Sequence, residues 1–206
     1  MMDISYLKAG RNFATLIDIG ANDGAYGAHL KELFGIKRVI AFEPLPKHRA
    51  GLLERGFEVH SVAVGDENGS SSLIVNHYDA ASSLLPITDR TSSEWPEAKE
   101  AETITVDKVR LDDRLAGVEL RGDLMIKVDA QGYESRIIDG GKAIFSRAKV
   151  VLIECIFVSL YKGDSTFNSI HAGLASCGLE LTGFKNQNIS KTDGRPLFAH
   201  CIYERL

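Results

Sequence analysis

The chain has 206 residues, of which 44% are hydrophobic and 25% charged, so one domain over 1–206 is expected and wholesale disorder is excluded. The 24 basic and 28 acidic residues give a formal charge of −4, without the basic excess of a nucleic-acid-binding protein. The longest apolar run is too short to span a bilayer, and 1–13 holds no run typical of a signal peptide. Three widely spaced cysteines predict no disulfide framework or zinc site but a cytoplasmic setting.

Short apolar runs alternate with helical patterns along the chain. In order, the sequence predicts a strand at 15–19, a helix at 26–34, a strand at 38–43, a helix at 46–55, strands at 57–64 and 124–129, a helix at 134–145, a strand at 149–154, a helix at 166–177, and strands at 179–183 and 197–203. Alternating strands and helices indicate an α/β fold with a buried parallel sheet. The last two strands are joined only by a polar loop at 185–196, so we expect an antiparallel strand at the end of the sheet.

Segment 66–109 interrupts this alternation. It contains strand-like patterns at 70–76 and 103–108, and between them a polar stretch that includes Ser82, Ser83 and Trp95. Long irregular segments in compact domains tend to be functional or disordered. We therefore interpret 66–109 as an inserted or elaborated part of the domain.

The first candidate ligand-binding segment reads Asp18-Ile19-Gly20-Ala21-Asn22-Asp23-Gly24 and joins a strand to a helix. Small residues at such a turn let a ligand approach the backbone and the helix N-terminus. A nicotinamide dinucleotide fingerprint needs glycine at position 22, where the chain has Asn22. Asp18 would repel a pyrophosphate but suits the ammonium group of S-adenosyl-L-methionine. The cofactor contacts predicted here are Asp18, Gly20, Ala21, Asn22 and Gly24; an ordinary capped turn is the alternative.

Two further strand ends extend this candidate site. Glu43 follows the second strand, 43 − 24 = 19 residues after Gly24, where an acidic side chain binds ribose hydroxyls in doubly wound folds. Pro44 fixes the turn that follows. Val62 and Ala63 end the third strand, where an adenine ring would lie between apolar side chains. Each feature also has a plain interpretation, a solvated carboxylate or a core strand.

A third segment, Lys127-Val128-Asp129-Ala130-Gln131-Gly132-Tyr133-Glu134, places Lys127 and Asp129 on one face of a strand. A lysine in a buried strand needs a partner, and Asp129 and Glu134 are the expected ones. We predict Asp129, Glu134 and Lys127 as catalytic residues. A structural ion-pair network is the alternative interpretation.

Five segments together, 16–24, 41–44, 63–65, 111–112 and 126–134, resemble the FkbM-type methyltransferase family in the family's order. The family usually has Glu where this chain has Gln131, so no catalytic role is carried over to that position. The resemblance implies a class I methyltransferase fold, a Rossmann-like three-layer sandwich with a mostly parallel seven-stranded sheet and an antiparallel terminal strand. It also implies O-methylation of a small-molecule hydroxyl, as on a sugar, with Asp18, Gly20, Glu43, Asp129 and Ser83 near the cofactor.

For such a reaction a base is useful, and Asp129 is the first candidate, followed by Glu134 and Glu154. We expect 66–109 and 155–164 to form the acceptor pocket. No metal site is predicted, although Asp129 with Glu154 has the oxygen ligands that divalent cations prefer. His77 and His200 are within the reach of a substrate in this scheme, but a surface role is favoured for both.

Two other classes of protein stay open at this stage. Gln131 is compatible with a non-catalytic protein that binds the cofactor, and a similar sheet also occurs in NAD-linked dehydrogenases. Cofactor binding without turnover would indicate the first, and binding of the dinucleotide would indicate the second. The sequence is compatible with a homo-oligomer.

Overall fold

A computed structural model describes residues 4–206 of the protein; the predictions made for 1–13 and for a domain over 1–206 extend beyond the described residues at 1–3. The strands are β1 Phe13–Ile19, β2 Arg38–Phe42, β3 Glu58–His60, β4 Ala63–Gly65, β5 Gly69–Asn76, β6 Glu100–Arg110, β7 Asp123–Val128, β8 Ala148–Ile156, β9 Glu180–Ile189 and β10 Pro196–Glu204. The α-helices are α1 Ala25–Phe34, α2 Arg49–Glu54, α3 Asp89–Glu94, α4 Leu111–Arg114, α5 Glu134–Gly140, α6 Lys142–Phe145 and α7 Phe167–Ser176.

Seven strands form the main sheet in the order β3-β2-β1-β7-β8-β10-β9. All neighbours are parallel except β10, which is antiparallel to both β8 and β9. Successive residues of the central strands point to opposite faces of the sheet and pack in two separate hydrophobic cores. Ile17 and Ile126 belong to one core, and Leu16 and Met125 belong to the other. The predicted class I methyltransferase fold, with its antiparallel terminal strand, is confirmed, and β1, β2, β7 and β8 end at the same edge of the sheet.

Two predicted elements are divided in the structure. The strand expected at 57–64 becomes β3, in the main sheet, and β4, which pairs with β6 in a second sheet. The helix expected at 134–145 becomes α5 and α6. A Cβ at Gly140 would lie 1.8 Å from the Gly65 carbonyl oxygen, so the chain passes β4 too closely for any residue with a side chain.

The C-terminal hairpin is longer than predicted. Strand β9 continues to Ile189, and the loop expected at 185–196 is reduced to residues 190–195. The polar residues 185–188 belong to the strand because β9 is the edge of the sheet, where one face meets solvent. This extension brings Lys185 directly opposite His200.

Segment 66–109 forms a small sheet with β4, in the order β4-β6-β5, so both strands predicted there are present. The sequence did not predict α3, whose one buried residue is Thr91. Thr88 caps this helix, its side-chain oxygen accepting from the Thr91 N–H. No helix among residues 4–206 is both long enough and apolar enough to cross a membrane.

Candidate active site

The carboxyl end of β1 turns sharply into α1. Gly20 has a φ of 70°, and the N–H groups of Gly20 and Ala21 both donate to the Phe42 carbonyl. A Cβ at position 20 would lie 1.9 Å from the Asp129 carbonyl oxygen. Glycine is therefore required here, and it lets the ends of β1 and β7 meet with bare backbone at the edge of the sheet.

Glu43 follows β2 and is 5% exposed. Its carboxylate accepts from the backbone N–H of Asn22 at 2.7 Å and of Leu45 at 2.8 Å. Burial raises the pKa of Glu43, and these two hydrogen bonds oppose that effect. Each oxygen keeps a free lone pair, so Glu43 joins two loops and still has acceptor capacity for a ligand.

Lys127 is paired differently from the prediction. It lies directly opposite Asp18 in the β1–β7 register, and its Nζ is 3.2 Å from Oδ1 of Asp18 while it also donates to the Gly20 carbonyl. The expected partners were Asp129 and Glu134; the neighbouring strand supplies a nearer carboxylate. Burial favours the neutral amine, but the charges of Asp18 and Asp129 raise the pKa of Lys127, so it holds the turn as a cation.

These elements enclose a cavity of ≈ 350 Å³, which we call the first cavity. The predicted residues that line it are Gly20, Ala21, Asn22, Glu43, Pro44, Val62, Ala63, Ser83, Lys127 and Asp129. Three predicted residues do not line it: Asp18, Gly24 and Glu134. Asp18 lies behind Lys127, and a Cβ on Gly24 would lie 2.6 Å from the Leu52 side chain, so Gly24 serves the packing of α1 against α2.

Glu134 begins α5 and is fully buried. Its Oε1 accepts from the backbone N–H groups of Ala130 at 3.0 Å and Gly132 at 3.2 Å. Burial raises the pKa of Glu134 to about 7, and the charge of Asp129 adds to this. Glu134 therefore fixes the loop that carries Asp129, and it lines neither cavity of the site.

A second cavity of ≈ 290 Å³ adjoins the first. Its walls include the aromatic side chains of Tyr78, Trp95, Tyr161 and Phe198, with Glu154 among the polar groups. These residues come from 66–109, β8, the loop after β8, and β10. The two segments expected to form an acceptor pocket thus meet here, and the C-terminal hairpin adds a wall that was not predicted.

Both cavities share four lining residues, Ala80, Asp129, Gln131 and His200, and we call this group the junction. Nε2 of Gln131 donates to Oδ1 of Asp129 at 2.6 Å and to Oε2 of Glu154 at 3.2 Å, while its Oε1 accepts from the Tyr161 hydroxyl at 2.6 Å. Nε2 of His200 is 3.6 Å from Oδ2 of Asp129. Gln131 thus separates two carboxylates, and His200 faces one of them.

The two carboxylates that Gln131 separates, those of Asp129 and Glu154, differ in charge. Burial raises the pKa of Asp129, but the nearby imidazole of His200 and the charge of Lys127 outweigh it and lower that pKa to about 2. Burial and the charge of Asp129 raise the pKa of Glu154 well above its ordinary value. Asp129 is therefore an anion at neutral pH, whereas Glu154 favours its protonated form.

The side chains of Asp129, Glu154 and His200 bring one ligand atom each to within 4.8 Å of one another. This spacing would suit a divalent cation. However, Gln131 directs its amide N–H groups, which cannot bind a metal, at both carboxylates. Internal hydrogen bonds thus already satisfy part of the cluster.

The sequence undervalued His200 and assigned no role to Gln131 or Tyr161. His200 lies opposite Glu154 in the β8–β10 register, a pairing that was not predicted although both residues lie in predicted strands. Gln131 adopts a φ of 53°, and its carbonyl accepts from Ser83 Oγ at 2.7 Å. Ser83 was predicted near the cofactor, and it contacts the junction loop directly.

The sheet order and the cavity at the ends of its parallel strands define an α/β protein of the class I methyltransferase type. Among solved structures, the ribosomal protein L11 methylase of Lactobacillus delbrueckii subsp. bulgaricus is similar with a TM-score of 0.50 and 11% identity over 98% of this chain and 75% of that one. The fibrillarin/Nop5p complex is similar with a TM-score of 0.50 and 13% identity over 98% of this chain and 79% of the other. Identities this low show the fold alone.

The chain belongs to the FkbM methyltransferase family, because the family model described as Methyltransferase FkbM domain matches residues 18–181. It is also similar to the 2-O-methyltransferase NoeI of Sinorhizobium fredii (strain NBRC 101917 / NGR234). The two are 27% identical over an alignment of 167 positions that covers 75% of this chain and 68% of that protein. Methyl transfer is therefore the activity class of the chain.

Proposed function

We propose that the protein transfers a methyl group from S-adenosyl-L-methionine to a hydroxyl of a small, sugar-like acceptor. The observation that carries this proposal is the pair of adjoining cavities with a shared junction of Asp129, Gln131 and His200. Two ligands in these cavities would meet at the junction and nowhere else along their walls. Family membership supports methyl transfer over the alternative of hydride transfer from NAD.

The first cavity fits the proposed cofactor. Its apolar end, with Leu45, Val62 and Ala63, suits an adenine ring, and Glu43 has free acceptor capacity for ribose hydroxyls. Gly20 allows a ligand to lie against the backbone. When bound, S-adenosyl-L-methionine supplies a reactive methyl group on a sulfonium, and the protein's part is to orient the acceptor and exclude water.

The second cavity fits a carbohydrate-like acceptor. The aromatic side chains of Tyr78, Trp95 and Tyr161 offer faces for the apolar C–H groups of a sugar ring, as amphipathic aromatic residues do at binding sites. Asn188 and Glu154 lie on the same wall and can exchange hydrogen bonds with hydroxyls. The similarity to a 2-O-methyltransferase is consistent with a hydroxyl acceptor.

The acceptor hydroxyl must lose a proton, and the junction offers two bases. Asp129, the first candidate from sequence, has its pKa lowered to about 2, which makes it a weak base at neutral pH. Histidine is the usual general base near neutrality. We therefore assign proton acceptance to Nε2 of His200 and assign to ionised Asp129 the stabilisation of the imidazolium.

We propose the cytoplasm as the location of the reaction, because the free thiols of Cys155, Cys177 and Cys201 stay reduced there.

Calorimetric titration with S-adenosylhomocysteine, beside NAD, tests the cofactor. We expect saturable binding of the nucleoside and none of the dinucleotide. Glu43→Gln should weaken the nucleoside about tenfold or more, since it removes a charged acceptor. The matched control Glu58→Gln, at an exposed position of β3, should bind like the wild type. No nucleoside binding by the wild-type protein would contradict the proposal.

Transfer of a labelled methyl group to a panel of mono- and oligosaccharides tests the acceptor. Product labelled at a hydroxyl oxygen is expected, and mass spectrometry of the product identifies the position. Cofactor binding without turnover on any acceptor would favour the non-catalytic alternative. Labelling at nitrogen or carbon would keep the cofactor assignment and contradict the acceptor class.

A further inference from the structure

Lys185 on β9 is a buried lysine without a carboxylate partner. It is 3% exposed, and its Nζ donates to the Tyr26 hydroxyl at 2.6 Å. Among residues 4–206, the other buried lysines do pair with acids: Lys127 lies 3.2 Å from Asp18, and Lys108 lies 3.0 Å from Glu67, whereas no ion pair is formed by Lys185. A buried ammonium without a counter-charge is costly, which points to an anion that binds here.

The position of Lys185 and Tyr26 in the fold indicates which anion binds. Tyr26 lines the first cavity, and so do Asn186, next to Lys185, and His200, opposite it. In the sheet order, β9 and β10 lie on the other side of β1 from β2, and Glu43 directly follows β2. If the nucleoside occupies the Glu43 end of the cavity, the amino-acid end of the cofactor extends toward Tyr26.

The charges at this end match those of an α-amino acid. Asp129 supplies an anion on the cavity wall, and Lys185 supplies a cation behind Tyr26. A tyrosine hydroxyl accepts and donates at once, so Tyr26 can accept from Lys185 and direct its own proton into the cavity. Burial and the charges of Asp18 and Asp129 raise the pKa of Tyr26 to about 12, so the hydroxyl keeps that proton.

We propose that Tyr26, positioned and polarised by Lys185, binds the α-carboxylate of the cofactor, while Asp129 faces its ammonium group. Tyr26 is the contacting residue, and Lys185 is a positioning residue that acts through it. This inference rests on the proposed function, since it assigns a subsite to the same cofactor. It also makes β9 part of the cofactor site, although β9 contains none of the cofactor motifs identified in the sequence.

Three ligands isolate the carboxylate by calorimetry: S-adenosylhomocysteine, its decarboxylated analogue, and 5′-methylthioadenosine, which lacks the whole amino-acid end. Each is titrated into the wild type, Tyr26→Phe, Lys185→Met and the control Lys108→Met, which removes a buried lysine that has its own acid. We expect Tyr26→Phe and Lys185→Met to weaken S-adenosylhomocysteine about tenfold, as loss of a charge-assisted hydrogen bond does. Their affinities for the two ligands without carboxylate should stay within about twofold of the wild type, and Lys108→Met should match the wild type for all three ligands.

Retained binding of 5′-methylthioadenosine shows that a variant is folded, so misfolding cannot imitate the expected pattern. Equal losses for all three ligands would mean that the pair is structural and would overturn the inference, as would unchanged affinity for S-adenosylhomocysteine. If the wild-type protein binds none of the nucleosides, the proposed function itself fails, and this subsite fails with it. Binding of the nucleosides with no selective loss leaves the proposed function intact and rejects only the subsite.

Discussion

The two cavities of this protein are built in different ways. The first is lined largely by residues at the ends of β1, β2 and β7 and by the segment that joins β3 to β4, so a few short motifs supply most of its wall. The second draws Tyr78, Trp95, Glu154, Tyr161 and Phe198 from segments far apart in the chain. The difference indicates that the edge of the parallel sheet fixes one site, whereas packing of loops and the terminal hairpin creates the other.

The junction is where the two kinds of construction meet. Asp129 belongs to a strand-end motif, and His200 belongs to the hairpin, yet Nε2 of His200 and Oδ2 of Asp129 lie 3.6 Å apart. Gln131 connects this pair to Glu154 and Tyr161 through three side-chain hydrogen bonds. If the cavities hold two separate ligands, changes at the junction should affect turnover, and changes in one cavity should affect one ligand only.

The largest effect is expected at His200. His200→Asn keeps a polar side chain but removes the base, and general bases contribute about 10² to 10⁴ in rate. We expect kcat to fall by at least about 10²-fold in methyl-transfer assays, while the affinity for S-adenosylhomocysteine changes by less than about threefold. The pH–rate profile of the variant should lose the limb that a histidine base gives.

His77 provides the matched control. The sequence gave both histidines the same standing, but His77 is exposed and lines neither cavity, so His77→Asn should turn over like the wild type. An active His200→Asn variant with an unaltered pH profile would remove His200 from proton transfer.

The second largest effect is expected at Glu134, which holds the loop that carries Asp129 and Gln131 but lines neither cavity. Burial raises the pKa of Glu134 from 4.5 to about 7. Its neutral form thus stabilises the fold fully below pH 4.5, and that contribution is lost as the pH rises through 7. The free energy of unfolding of the wild type should fall by about 3 kcal/mol between pH 4.5 and pH 8 from this group.

Glu134→Gln should remove that part of the pH dependence, because an amide oxygen can still accept from Ala130 and Gly132 while the uncharged group no longer titrates. Urea unfolding at pH 4.5 and pH 8 measures the difference between the two proteins. Glu32→Gln, at an exposed position of α1, should retain the wild-type pH dependence. A Glu134→Gln variant as sensitive to pH as the wild type would show that this carboxyl is ionised in the folded protein without cost.

Much of the first cavity could be predicted because its residues stand next to one another in sequence. Gly20, Glu43 and Asp129 each directly follow a strand whose apolar pattern is plain, and the fold class fixes where strand ends meet. Asp18 was assigned to the ligand because its partner was unknown: the β1–β7 register, which places it opposite Lys127, is not visible in a local pattern.

The segments 66–109 and 155–164 were expected at the second cavity, but the individual residues of its wall could not be predicted, for a related reason. His200 lies in a strand that was predicted, but the β8–β10 register that brings it near Asp129 was not, and the polar residues 185–188 concealed the extension of β9. Trp95 stands at the end of a helix with one buried residue, too weak a periodic signal to detect. Contacts of this kind depend on three-dimensional packing between distant segments, which neither spacing nor residue type specifies.

A smaller effect, confined to one cavity, is expected at Trp95. It lines the second cavity only, with its ring centroid 6.2 Å from that of Phe198. Trp95→Ala should raise the KM for the acceptor about tenfold, because the loss of one aromatic contact weakens binding by about that factor. The affinity for S-adenosylhomocysteine should stay unchanged. Trp95→Phe should restore much of the loss, and equal loss of both ligands would mean that the cavities are not separate sites.

The smallest effect is expected from metal removal. Asp129, Glu154 and His200 have a spacing that a divalent cation would accept, but Nε2 of Gln131 donates to both carboxylates and already provides the positive partial charge that separates them. Activity should therefore change by less than about twofold after treatment with EDTA and dialysis, measured in the methyl-transfer assay, and added Mg²⁺ or Mn²⁺ should not raise it. Loss of activity that Mg²⁺ or Mn²⁺ restores would contradict this. It would mean that Asp129, Glu154 and His200 bind a metal ion that serves both cavities.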